Sequence, residues 1–135
     1  LITFKIFFEL KRQVHSAVIY SWTFKPEEPH PLAGAVYIGQ TVRVTDSCEA
    51  ALNQRCRQHR TSSKRAEKDI GFHALLKQYP ESWDIRIVDK RQHTCKFKAF
   101  AWADEREAAF IEQFGGPLRD MQKASHQTLN STRGG

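Results

Sequence analysis

Pro26, Pro29 and Pro31 fall within Lys25–Pro31, a run that cannot supply the N–H groups of a strand ladder. The chain on either side of it is β-like. Ala17–Phe24 alternates, with Val18, Tyr20, Trp22 and Phe24 on one face. Ala35–Thr41 is rich in β-branched and aromatic residues and closes on Gly39 and polar groups. The pattern predicts an antiparallel hairpin with a long tip. Pairing residue 24 near residue 33 sets Tyr20 across from Tyr37, about 5 Å apart at Cβ on one face. Gly39 then opens space opposite Val18. Two adjacent phenols read either as an aromatic core pair or as two functional groups on a rigid support.

Asp46-Ser47-Cys48-Glu49 is a capping-box pattern, and it opens a helix predicted to run to about Arg60. Its inward stripe is Cys48, Ala51, Leu52, Arg55, Cys56 and His59. A charge on an apolar stripe is costly without a partner. Arg55 therefore either snorkels at the edge or faces an anion. Arg57, Arg60, Lys64, Arg65 and Lys68 extend a basic run that reads as a solvated face or as a track for a phosphate backbone. A second helix is predicted over residues 63–78, with Ile70, Ala74, Leu75 and Leu76 apolar and His73 structural.

Trp83–Asp89 alternates as a third strand with Trp83, Ile85 and Ile87 inward. Lys96–Trp102 reads as an edge strand or a connection. Asp104–Glu107 is a second capping-box pattern, opening a helix that carries Phe110, Ile111 and Phe114. Glu107 shares their face, either as a cap or as a buried functional carboxylate. Gly115-Gly116-Pro117 ends that helix, and the tail to Gly135 reads as irregular. Residues 1–13, with Ile2, Phe4, Ile6, Phe7, Phe8 and Leu10, read as a packed extension; residues 14–135 form the domain proper.

At 135 residues one core is affordable and two are not. A net charge of +6 favours a polyanionic partner, nucleic acid first. Cys48, Cys56 and Cys95 are odd in number and lack C-x-x-C spacing, which argues against a disulfide framework or zinc site. They fit a reducing cytoplasmic or nuclear setting. No apolar run approaches the roughly 20 residues that span a bilayer, and the start lacks a signal-peptide cleavage pattern. A beginning without Met and an end at Gly134-Gly135 read as a piece of a longer chain.

Val18-Ile19-Tyr20 and Tyr37-Ile38-Gly39, then Arg55 with His59 four residues on, then Glu107 before Phe110-Ile111, resemble in order the motifs of the GIY-YIG nuclease superfamily. Asn130-Ser131-Thr132-Arg133-Gly134-Gly135 is similar to a closing Asn-x-Thr-x-Gly-Gly motif of its homing and restriction members. Val18 stands where the family has glycine, and Gln54 where a lysine often precedes the arginine. The resemblance implies a small α+β domain, a three-stranded antiparallel sheet flanked by helices. It also implies hydrolysis of a DNA phosphodiester. Tyr20 would take the proton of the attacking water, Tyr37 would orient Tyr20 or the phosphate, and Arg55 would stabilise phosphoryl charge. Glu107 would hold Mg²⁺ or Mn²⁺. His59 would be a second proton acceptor or a phosphate ligand from the rim. Asn130 would support the site near Glu107 and the DNA, while Arg57, Arg60, Lys64, Arg65 and Lys68 would bind DNA. The alternative is an inactive nucleic-acid-binding module of the same fold.

Overall fold

The computed structural model describes residues 13–66, 71–116 and 128–130. Their order is β1 (His15–Phe24), β2 (Val36–Val44), α1 (Cys48–Ser63), α2 (Phe72–Gln78), β3 (Trp83–His93) and α3 (Lys96–Gln113). The three strands form one antiparallel sheet in the order β2-β1-β3. The domain is α+β, and among the described residues three helices flank this sheet. The expected 1–13 extension lies almost wholly outside the described residues, as do Lys68 and Ile70.

β1 is central and buried on both faces, which its nearly unbroken apolar run requires. Val18, Tyr20, Trp22 and Phe24 face α1 and α2, in a core with Ala51, Leu52, Leu75 and Leu76. Ala17 and Ile19 face α3, with Ile38, Ala99, Ala103 and Ile111. A bulge between Ile19 and Tyr20 in the β1–β3 ladder keeps Trp83, Ile85 and Ile87 against the first core. It also places Asp89 opposite Ile19, and Asp89 meets Arg106 of α3 at 3.1 Å.

The hairpin register differs from expectation by two residues: Tyr20 pairs with Gly39, and Trp22 with Tyr37. The tip is longer than expected, because Phe24 N–H donates to Ala35 O after a turn over His30–Ala33, which leaves residues 25–34 in the loop. An even shift keeps both tyrosines on the same face. Gly39, expected opposite Val18, lies under Tyr20 instead, and a Cβ there would overlap the phenol ring.

Other boundaries move as well. α1 runs past Arg60 to Ser63, capped by Ser47 Oγ accepting from Ala50 N–H at 3.1 Å. Lys64 and Arg65 therefore lie at the end of α1, not at the start of the next helix. The second helix begins only after Gly71, whose φ of 97° lies in the left-handed region. Lys96–Trp102 is neither strand nor connection: it is the first part of α3, so Asp104–Glu107 lies mid-helix and caps nothing. The stripe Ala99, Ala103, Glu107 and Ile111 explains this, since four-residue spacing keeps one face against the sheet. Phe97 and Phe100 point outward, 81% and 42% exposed.

Candidate active site

The functional candidates gather where β1 and β2 meet α1 and α2. Strand alternation brings Tyr20 and Tyr37 to one face, their ring centroids 6.5 Å apart across the diagonal of the register. Phe72, the first residue of α2, stacks on Tyr37 at 4.1 Å with the planes within 9°, fixing that ring. From α1 the inward stripe delivers His59, which is 2% exposed and sits edge-on to Tyr20, Tyr37, Trp22 and Phe72. His59 is not at the rim. Its Nε2 shares a 2.5 Å hydrogen bond with the Tyr20 hydroxyl, and its Nδ1 shares one of 3.0 Å with His73 Nε2. His73, expected to be structural, is the half-buried outer end of this chain. Nothing in its local sequence signals that, because the contact depends on how α2 docks on α1.

Burial decides the protonation of the chain. It pushes the Tyr20 hydroxyl well above its ordinary value near 10; Tyr37 raises it further, while the Arg55 charge pulls the other way and loses. Burial first, then the Arg55 and His73 charges, hold His59 down to about 3, so it is neutral near pH 7. His73 is lowered by burial and by Arg55. A neutral His59 can accept the Tyr20 proton at Nε2 while its Nδ1–H donates to His73.

Arg55 is half-buried at the mouth. Its charge is felt at Tyr20, Tyr37, His59 and His73, and its Nη1 donates to Gln58 Oε1 at 3.1 Å. With Gln54, Arg57, Gln58, Thr61 and Ser62 it lines an open polar groove of about 630 Å³. Arg57, Lys64 and Arg65 are exposed. Arg60 is half-buried and makes contacts of its own. Its Nη1 donates to Pro80 O at 2.6 Å, and its guanidinium lies 5.3 Å from the Trp22 ring centroid.

Glu107 comes from α3, across the sheet, and is 7% exposed. Its charge reaches Tyr37, whose hydroxyl is raised by burial first and by Glu107 second. Asn130 is tied to the backbone of β2. It is buried, its Oδ1 accepts from Ile38 N–H at 2.9 Å, and its Nδ2 donates to Ile38 O. Leu129 N–H bonds Val36 O, and Thr128 forms a parallel bridge to Val36, so residues 128–130 cover the free edge of β2 beside Tyr37.

Among the described residues no group of three or more His, Cys, Asp or Glu side chains could hold a metal ion. A single buried carboxylate still fits Mg²⁺ or Mn²⁺, because such ions are bound through one or two carboxylates, waters and substrate phosphates. The three cysteines are free thiols, and no described helix is long and apolar enough to cross a membrane. Compared with protein-family models, with curated proteins and with solved structures, the chain matches none.

Proposed function

We propose that this chain is a GIY-YIG-type endonuclease that hydrolyses a DNA phosphodiester with the help of a divalent metal. The observation that carries this is the buried hydrogen-bonded chain Tyr20–His59–His73 with Arg55 beside it. A core needs no such chain, since burying an imidazole and a phenol costs free energy that apolar residues avoid. In the reaction Tyr20 takes the proton of the attacking water as its own passes to His59 Nε2 and the His59 Nδ1 proton passes to His73, so neither a free phenolate nor a buried His59 cation is required. His73, nearer solvent, receives the hydrogen bond from the other side of the ring. Arg55 offers its donor fork to the phosphoryl oxygens as charge builds on them. Glu107 would hold the metal, which supplies Lewis acidity to the leaving oxygen. The phosphate backbone would follow the groove past Arg57, with Lys64 and Arg65 contributing at the end of α1.

The test is incubation with supercoiled plasmid in Mg²⁺, in Mn²⁺ and in chelator, with Glu107→Ala alongside. Nicking that needs metal and Glu107 supports the reading; undiminished nicking in chelator contradicts the metal. An inactive binding module is the second reading, favoured by one observation. Tyr20 is 0% exposed, so water must reach a phenol that the domain shields. That reading predicts plasmid binding without nicking under every condition.

A further inference from the structure

Gln58 Oε1 accepts two guanidinium hydrogen bonds at once. Arg43 Nη2 donates at 2.6 Å and Arg55 Nη1 at 3.1 Å. Arg43 is also held at its Nε, which donates to Thr41 Oγ1 at 3.1 Å, and Thr41 is buried. Two cations are thus drawn together around one amide oxygen. Each of these three bonds ends on a neutral acceptor, so they fix direction without cancelling charge. Like charges held this close in a partly exposed setting cost free energy unless an anion joins them. Strand alternation puts Tyr37, Gly39, Thr41 and Arg43 on one face. Arg43, paired with Ser16, therefore stands four residues along the sheet from the Tyr20–Gly39 pair.

We infer that Arg43, held beside Arg55 by Gln58, is a second phosphate clasp, which grips the backbone phosphate next to the one that Arg55 meets. Gln58 is the positioning residue. Its oxygen aims both guanidiniums, Arg55 at the attacked phosphate and Arg43, through its remaining N–H groups, at the next one. This rests on the nucleic-acid reading above and adds the residues that register the backbone.

The experiment measures binding of a short DNA duplex in chelator, across a salt series, for wild type, Arg43→Ala, Gln58→Glu and Lys98→Ala. Lys98 is exposed on α3 and controls for loss of one charge. Arg43→Ala should weaken binding roughly tenfold or more and lower the salt slope by about one unit. Gln58→Glu is the sharper arm. A carboxylate is the better acceptor for both arginines. A merely structural brace would keep binding unchanged in this variant and gain stability. A clasp would be filled by the introduced charge, and the slope should fall by about two units. Lys98→Ala should not move it. Unchanged slopes in Arg43→Ala and Gln58→Glu, or an equal change in Lys98→Ala, overturn the clasp. A wild type that shows these effects yet never nicks plasmid overturns the nuclease reading alone. A wild type that does not bind duplex overturns both.

Discussion

Gly39→Ala is a small change with a calculable cost. A Cβ at position 39 would lie 2.6 Å from Tyr20 Cε2. Ordinary carbon contacts sit at about 3.5–4.0 Å. The phenol must retreat by about an ångström, yet it is fully buried and tied to His59 at 2.5 Å. Overpacking costs about 1–3 kcal/mol, and the strained hydrogen bond about 1 kcal/mol more. The φ of Gly39 is not positive, so alanine recovers about 0.4–1 kcal/mol by restricting the unfolded chain. The net is a loss of about 1–4 kcal/mol. Urea unfolding followed by tryptophan fluorescence measures it, since Trp22 lies in the same core. The displaced phenol should also slow single-turnover nicking by about 10². A variant as stable as wild type, with normal nicking, would refute the placement of Gly39 under Tyr20.

Stability should fall on acidification because of His59. It is depressed to about 3, so below the ordinary value near 6.5 the unfolded chain binds a proton that the native state does not. The loss starts as pH drops through 6.5 and approaches about 1.4 kcal/mol per pH unit above the folded value. His73 acts in the same direction. His59→Gln should flatten unfolding free energy against pH over this window, and an unchanged curve contradicts the burial argument. Arg60→Ala should cost about 1–2 kcal/mol from its Pro80 and Trp22 contacts. Its salt slope for DNA should match wild type, which a binding series checks. Asn130→Ala should strip the partners from Ile38 N–H and C=O, costing about 2 kcal/mol or more. Hydrogen exchange should then report faster exchange at the Ile38 amide; equal protection would place the edge support elsewhere.

Alternation and prolines made the hairpin and third strand legible, because each depends on local pattern alone. The exact pairing was not legible. It is set by how the tip turns at His30–Ala33, which no periodicity reports. The stripe through Arg55 and His59 placed both on the inner side of α1. How deep each lies depends on α2, and α2 was hidden by a helix pattern that runs through Gly71. The onset of α3 was missed for a different reason: its buried stripe begins with Ala99 and Ala103, too small to stand out, while Phe97 and Phe100 face outward. Glu107 nonetheless shares its face with Ile111, as its spacing requires. Gln58 carried a signal that went unread, since three residues beyond Arg55 on a helix is contact distance.

The most direct test of the central claim is the single-turnover nicking rate of Tyr20→Phe at saturating DNA, measured beside wild type. Phenylalanine fills the same core space and removes only the hydroxyl that meets His59. If Tyr20 passes a proton to His59, the rate should fall by about 10²–10⁴, the range of a lost general base, with DNA affinity unchanged. Nicking by Tyr20→Phe close to the wild-type rate would contradict the account and reduce the Tyr20–His59–His73 chain to packing.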